Sequence, residues 1–168
     1  MSGSFEVRYS DPVLQGESLV QAAIDVHIIE GQEWLVHWYH STNDADLMVW
    51  INSEGAVGHF QLNVGGQICD WSSACGIQTG LIIEIELGKA ELGNLEAAET
   101  VQFDSALDLA NLKLSEVVLK NAKTLSAPLR ERLLGALQDA RPPGAGKAVQ
   151  AARARFWGRF KRWTKPAA

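Results

Sequence analysis

Four histidines are the residues of this sequence that could most readily bind a metal or act as a general base. His37 and His40 are three residues apart, a spacing that places them on opposite faces of a strand. His27 and His40 can share a face only at a distance along the sheet, whereas His59 fits a surface pair with Trp50 on a neighbouring strand. Because a metal site needs three or four converging ligands, we expect neither a metal centre nor a bound cofactor.

The acidic and thiol groups do not form a catalytic pattern either. Asn43, Asp44 and Asp46 indicate a solvated turn, since the glycine and the distant glutamate of a calcium loop are missing. Cys69 and Cys75 lack CxxC spacing and a basic neighbour, which predicts a buried thiol at Cys69 and a more accessible loop thiol at Cys75. The sequence contains no GxxxxGK[ST], GxGxxG, GxSxG or HExxH motif. These features favour a protein that is not an enzyme.

Tryptophan is the residue type with the strongest potential for binding. Trp34, Trp38, Trp50 and Trp71 could line a ligand pocket in a β-rich protein. The same rings are equally suited to ordinary core and edge packing. A small-ligand-binding protein that uses a sheet face lined by tryptophan and histidine is therefore the alternative function that the sequence supports.

The elements that position these side chains are predicted by alternating apolar residues between Asp46 and Leu87. Short alternating runs are separated by the turn sequences Ser53–Ala56 and Gly65-Gly66. A period of two, interrupted by turns, is typical of an antiparallel sheet with one face in the core. The predicted buried face carries Leu47, Val49, Ile51, Phe60, Leu62, Val64, Cys69 and Trp71. The opposite face carries Met48, Trp50, His59, Gln61, Asn63, Ile68 and Asp70.

A second hairpin is predicted upstream of this region. Residues 19–29 fit both a strand and a helical stripe, and we favour a strand because the turn sequence Glu30–Glu33 leads into the β-prone stretch Trp34–His40. With a turn on Gly31-Gln32, both faces of this hairpin are largely apolar. Such a pair needs a cover on each side, which helices or a second subunit could supply. We therefore predict a homodimer.

The remaining patterns define the fold class and the domains. Ser105 and Asp108 resemble a capping box that opens a helix to about Lys123, and Ser126-Ala127-Pro128 opens a second helix. We predict an α+β protein in which an antiparallel sheet, either a sandwich or a strongly curved sheet, is followed by two packing helices and a C-terminal basic amphipathic helix. The predicted domains are a globular domain (1–141), a Pro/Gly linker (142–146) and a basic aromatic tail (147–168).

Charge divides this chain of 168 residues into two opposed parts. The first 140 residues hold seven basic and twenty acidic residues (7 − 20 = −13), whereas residues 141–168 hold eight basic residues and no acidic one (+8). As a helix, the tail has an apolar stripe flanked by arginine and lysine. The candidate partner-binding residues are Arg153, Phe156, Trp157, Arg159, Phe160, Arg162 and Trp163 in the tail, with Trp34 and Trp38 in the body.

These observations predict a non-enzymatic adaptor or scaffold. Its acidic body would bind a protein partner, and its tail would dock in a partner groove or on an anionic membrane surface. Folding of the tail onto its own acidic body is the competing interpretation. Nucleic acid is not expected, because the acidic body would repel it. The absence of an apolar signal segment and the two cysteines predict a cytoplasmic protein, peripheral at the membrane if the tail binds lipid.

Overall fold

The computed structural model describes residues 11–85 and 98–141. This part of the chain is α+β, with one open antiparallel sheet whose seven strands lie in chain order, followed by two helices. The strands are β1 (Val20–Ile29), β2 (Gln32–Ser41), β3 (Ala45–Asn52), β4 (Val57–Val64), β5 (Gln67–Ser72), β6 (Gly76–Ile85) and β7 (Ala98–Phe103). The helices are α1 (Pro12–Glu17), α2 (Leu109–Asn121) and α3 (Ala127–Ala136).

The predicted α+β class and the two helices after the sheet are thus confirmed, and the sheet is a single open one instead of a two-sheet sandwich. The linker 142–146 and the tail 147–168 lie outside the described residues. Within the described ranges, every helix is too short or too polar to cross a membrane.

Strand pairing follows the predicted register through the middle of the sheet. Val49 lies opposite Phe60, and Leu62 lies opposite Cys69. The predicted turn on Gly31-Gln32 is wrong, because Glu30 and Gly31 form the turn with φ of 51° and 78°. Pairing in this hairpin is consequently shifted by two residues. Since the side-chain period of a strand is also two, the faces expected from the sequence are nevertheless correct. One face holds Ile24, Val26, Ile28, Leu35, His37 and Tyr39, and the other holds His27, Ile29, Trp34, Val36, Trp38 and His40.

One side of the sheet, called the first face, forms the core with α2 and α3. Its buried residues are Tyr39, Leu47, Val49, Phe60, Leu62, Val64, Cys69, Trp71 and Ile77. Val118 and Leu119 from α2 and Leu133 from α3 join the same cluster and are fully buried. Burial of each such aliphatic side chain stabilises the fold by about 1.5–3 kcal/mol.

Capping residues determine where the helices begin. Asp108, not Ser105, caps α2, and its side chain accepts the amides of Ala110 and Asn111. The helix starts later than predicted because the Asp108 amide donates to Thr79 Oγ1 of β6 (2.9 Å), which ties the preceding segment to the sheet. Ser126 caps α3 as predicted.

Helix α1 was not anticipated. The alternating residues Phe5, Val7 and Tyr9 predict a short edge strand that Asp11-Pro12 would close, and these three residues lie outside the described ranges. Asp11 is instead the N-cap of α1, and its side chain accepts the amide of Val13 (2.9 Å). Proline in the first turn of a helix loses no hydrogen bond, so the same dipeptide that ends a strand can begin a helix.

The segment after α3 is fastened to the turn between β5 and β6. Trp71 Nε1 donates to Asp139 Oδ2 (2.9 Å), and the Ile77 amide donates to the Asp139 carbonyl (2.9 Å). Arg141 donates to the carbonyls of Ala74 (2.9 Å) and Ser73 (3.0 Å). These bonds form a latch, named here the Asp139–Arg141 latch, that joins the end of the globular domain to the sheet.

Candidate functional site

The side of the sheet opposite the core, called the second face, combines tryptophan, histidine and aspartate. Register places Trp34, Trp38 and Trp50 on this face, together with His59 and Asp70. Further members contributed by the strands β1 to β4 are Asp25, His27, Val36, His40, Asp46, Met48 and Gln61. The structure therefore brings three of the four candidate tryptophans onto one face. Trp71 lies on the first face, where it stacks with Phe60 at a centroid distance of 6.2 Å.

A histidine–aspartate pair lies at the centre of the second face. His59 Nε2 and Asp70 Oδ2 are 2.8 Å apart, and the Asp70 side chain is 0% exposed. The indole of Trp50 stacks on the imidazole at a centroid distance of 4.4 Å with 21° between the planes. A buried carboxylate is costly unless it is paired. Here the carboxylate accepts a hydrogen bond from the imidazole, and the two side chains fix each other's orientation.

Gln61 contributes a second buried polar group beside this pair. It lies opposite Asp70 in the pairing of β4 with β5 and is 2% exposed. Its Nε2 forms no hydrogen bond within the described part of the chain. A buried donor without an acceptor costs about 1–3 kcal/mol. A bound group with an acceptor oxygen would remove that cost, so Gln61 is suited to recognise a carbonyl or carboxylate.

The rim of the second face repeats the pairing of acid with histidine. His40 Nδ1 and Asp46 Oδ1 are 2.6 Å apart, with 52% and 33% of the two side chains exposed. Trp34 is half-buried, and its indole ring lies where a Cβ on Gly58 would stand, 2.4 Å from the nearest ring atom. The absence of a side chain at Gly58 thus leaves room for the ring to approach β4 closely. Trp38 is also half-buried and therefore presents part of its surface to solvent.

The electrostatics of the sheet differ sharply from those of the helices. Residues 9–88 contain eleven aspartates and glutamates and no lysine or arginine. The lysines and arginines of the described residues all follow β7 and are Lys113, Lys120, Lys123, Arg130, Arg132 and Arg141. Several of them are paired on the helix side of the molecule: Lys123 bonds Glu17 at 2.7 Å, and the Arg132 guanidinium lies 4.8 Å from the Trp71 ring centroid. The described part of the second face therefore has no lysine or arginine, and it carries the carboxylates of Asp25, Asp46 and the buried Asp70.

The geometry gives little support to catalysis at this face. Ser72 lies directly opposite His59, so the residue types of a hydrolytic triad share one face. However, Ser72 Oγ accepts the Cys75 amide (3.2 Å) and so closes the β5–β6 turn. Across the ranges 11–85 and 98–141, no group of three or more histidine, cysteine, aspartate or glutamate side chains is arranged to hold a metal ion.

Comparison with known proteins found no match for this chain, so the candidate site is interpreted from its own residues. No protein-family model matches this chain, and no curated protein or solved structure matches it.

The structure describes two of the nine predicted partner-binding residues. Trp34 and Trp38 lie on the second face, four residues apart along β2 with Val36 between them. The tail residues Arg153, Phe156, Trp157, Arg159, Phe160, Arg162 and Trp163 lie outside the described residues.

Sequence reasoning placed Gln61 and Asp70 on the correct face but missed their burial. Asp70 follows Cys69 and precedes Trp71, so simple alternation assigns it to solvent. The available signal was the register, which predicts His59 on the same face one strand away.

Proposed function

We propose that the protein is a non-enzymatic adaptor whose second face binds a basic segment of a protein partner. The observation that carries this proposal is the separation of charge in the folded body. Residues 9–88 supply all of β1 to β6 without a lysine or arginine, while the described cations lie at 113–141. An acidic surface of this kind favours encounter with a cationic partner and disfavours acidic ones.

The side chains of the second face suit recognition of arginine or lysine. A guanidinium over a tryptophan face contributes about 0.5–1 kcal/mol when exposed and about 2 kcal/mol when desolvated. The body already contains one such contact, between Arg132 and Trp71 on the first face. On the second face, Trp38 supplies aromatic surface near the carboxylate of Asp46, since its cross-strand partner Met48 is two residues from that aspartate. A partner arginine could therefore contact a ring and an acid together.

The tail extends the same adaptor function to a second surface. Residues 147–168 combine basic residues with phenylalanine and tryptophan at helical spacing. We propose that this segment docks in a partner groove or on an anionic membrane surface. Under this proposal the protein is cytoplasmic, and it is peripheral at the membrane where the tail binds lipid.

Titration with a synthetic peptide tests the second face. The probe is a short peptide in which arginine alternates with tryptophan, and the control peptide carries glutamate in place of arginine. We expect the full-length protein to bind the first peptide and not the second. Trp38→Ala should weaken binding by about 2- to 30-fold, the range that one cation–π contact supplies. Leu109→Ala, on the exposed side of α2, is the matched control and should bind as the wild type does. Equal affinity of the wild type and Trp38→Ala would refute the assignment of this face.

Binding of a small ligand is a second candidate, favoured by the buried amide of Gln61. A ligand with a carbonyl or carboxylate oxygen could accept a hydrogen bond from Gln61 Nε2. Thermal-shift screening against metabolites distinguishes this function from the adaptor, because a ligand held only by the folded state raises the melting temperature. A ligand whose stabilising effect disappears in Gln61→Leu would favour this second candidate over the adaptor.

A further inference from the structure

Strand β1 is an edge strand with an unusually apolar exposed side. Among the strands in residues 11–85 and 98–141, it is the first in the order of the sheet and pairs with β2 alone. On its first-face side, Ile24, Val26 and Ile28 are 54%, 59% and 75% exposed. Leu35 of β2 lies opposite Val26 and is 36% exposed, so the four side chains form a continuous apolar strip. This strip lies outside the area that α2 and α3 cover.

Strand β1 has few of the features that normally prevent an edge strand from pairing with another chain. Edge strands are commonly blunted by lysine, by proline or by a bulge. The ten residues of β1 contain neither lysine nor proline, and the register irregularity lies near one end, between Gln21 and Ala23. The segment Ala23–Ile29 is regular and pairs with β2 residue by residue. Its outer backbone groups are therefore arranged as a template for another strand.

The sequence of this regular segment is complementary to itself. In a symmetric antiparallel pair with Val26 at the two-fold axis, Ile24 of one chain lies opposite Ile28 of the other. The same register sets Asp25 opposite His27 on the second-face side. Apolar residues then meet apolar residues, and the acid meets a histidine.

Neighbouring registers lack this complementarity. Opposite residues of an antiparallel pair must point to the same side of the sheet, so the pairing can shift only by two residues at a time. Each such shift moves the two-fold axis by one residue. An axis at Asp25 would set two aspartates against each other, and an axis at His27 would set Val26 opposite Ile28 but Ile24 opposite Glu30. An axis at Val26 is also the centre of the regular segment Ala23–Ile29. One register is therefore preferred on both charge and geometry.

We propose that the free edge of β1 pairs with β1 of a second copy of this chain, antiparallel and with Val26 at the two-fold axis. The two sheets would join into one continuous sheet, and the apolar strips of the two copies would meet across the axis. Most of the second face would remain accessible on each copy, since the contact follows the edge of the sheet. This inference gives the predicted homodimer a defined interface, and it does not rest on the proposed binding of a basic segment.

Sedimentation of the full-length protein tests the interface. We expect the wild type to form a dimer at micromolar concentration. Val26→Lys places two ammonium groups beside each other at the axis and should raise the dimer dissociation constant by more than about tenfold. Leu109→Lys, the same replacement at an exposed leucine of α2 (75% exposed), should leave the dimer intact. A wild type that stays monomeric at high micromolar concentration, or a Val26→Lys protein that dimerises as tightly, overturns the proposal. Pairing of β1 with another segment of its own chain would give the first of these results.

Cysteine cross-linking tests the register without relying on a destabilising charge. Opposite Cα atoms of an antiparallel pair are about 4.5–5.5 Å apart, a separation that a disulfide spans. Val26→Cys should therefore give a covalent dimer on mild oxidation, whereas Asp25→Cys and His27→Cys should not. The native Cys69 and Cys75 are buried, so the wild type serves as the control. Cross-linking at position 25 or 27 instead of 26 would refute the register, and absence of cross-linking at all three positions would refute the interface.

Discussion

His59 and Asp70 show how a charged group is accommodated inside the sheet. The carboxylate is fully buried and bonds the imidazole at 2.8 Å, and the same imidazole stacks on the ring of Trp50. Removing one member of such a pair leaves the other uncompensated, which costs more than the pair itself contributes. The pair therefore specifies how β4 and β5 meet on the second face.

A double-mutant cycle on this pair should reveal strong coupling. We expect Asp70→Ala and His59→Ala each to lower the free energy of unfolding, and the double variant to lose less than the sum of the two. The interaction energy should be about 0.5–3 kcal/mol, measured by urea unfolding of the four proteins. A cycle between His40 and Asp46, whose side chains are 52% and 33% exposed, is the control and should give less than about 1 kcal/mol. Independent effects at His59 and Asp70 would contradict the central role of this pair.

The two thiols provide a residue-scale test of burial. Burial raises the pKa of Cys69 to about 12, so its thiolate is scarce at neutral pH. Cys75, expected from sequence to be the accessible thiol, is only 6% exposed in the turn between β5 and β6. We therefore predict that both thiols react slowly with an aromatic disulfide reagent at pH 8 and rapidly after denaturation. Fast reaction of Cys75 in the native protein would restore the original expectation of a loop thiol.

At the scale of elements, α2 carries an ion-pair arrangement that makes its stability depend on pH. Glu116 accepts hydrogen bonds from Lys120 and Lys113, and these lower its pKa from 4.5 to about 2. A carboxyl group with a depressed pKa stabilises the folded state at pH values above its unfolded pKa. That contribution is lost as the pH falls from about 4.5 towards 2.

Glu116→Gln tests this dependence. We expect the variant to melt at a slightly lower temperature than the wild type at pH 7, and the difference to vanish near pH 2, as measured by circular dichroism. The effect should be small because both lysine partners are largely exposed to solvent, with 70% of Lys113 and 56% of Lys120 accessible. Glu131→Gln on α3 is the control and should show little difference between the two pH values. A difference for Glu116→Gln that grows on acidification would contradict the assignment.

The Asp139–Arg141 latch joins the segment after α3 to the β5–β6 turn, and its contribution can be measured by hydrogen exchange in that turn. Asp139 accepts from Arg141 and Trp71, and both bonds lower the pKa of its carboxyl group. Asp139→Ala should therefore raise the rate of hydrogen exchange in the β5–β6 turn and lower the melting temperature, because Trp71 Nε1 and Arg141 lose their acceptor. Exchange in β1 should remain unchanged, which provides an internal control. Unchanged exchange at the β5–β6 turn would show that the latch contributes nothing to local stability.

Sequence reasoning succeeded for the elements in which local patterns agree. Two turn sequences independently predicted the faces of β3, β4 and β5, and the pairing of Val49 with Phe60 confirms them. It failed where a local signal fits two structures. Asp11-Pro12 begins α1 instead of ending a strand, and contacts with Thr79 move the start of α2 from Ser105 to Asp108. Such contacts between residues distant in sequence cannot be inferred from spacing.

At the scale of the whole molecule, the sheet separates two chemically different sides. The first face builds the core with α2 and α3. The described lysines and arginines all lie in these two helices or in the segments that directly follow them. The second face carries tryptophan, histidine and aspartate. The sequence predicted that Trp50, Gln61 and Asp70 share a face, but only the folded arrangement shows that all three are buried there. The candidate site therefore arises from pairing between strands and has no motif along the chain.

The lack of lysine and arginine in the sheet also has a practical consequence for mapping partners. Trypsin has no cleavage site between Arg8 and Lys89. Complete digestion therefore releases all of β1 to β6 as one peptide. Amine-reactive cross-linkers meet the same limit, since no lysine lies on these six strands. A partner bound to the second face would be missed by lysine cross-linking followed by tryptic digestion. Coupling through carboxylates such as Asp46, followed by cleavage at aromatic residues, would detect it.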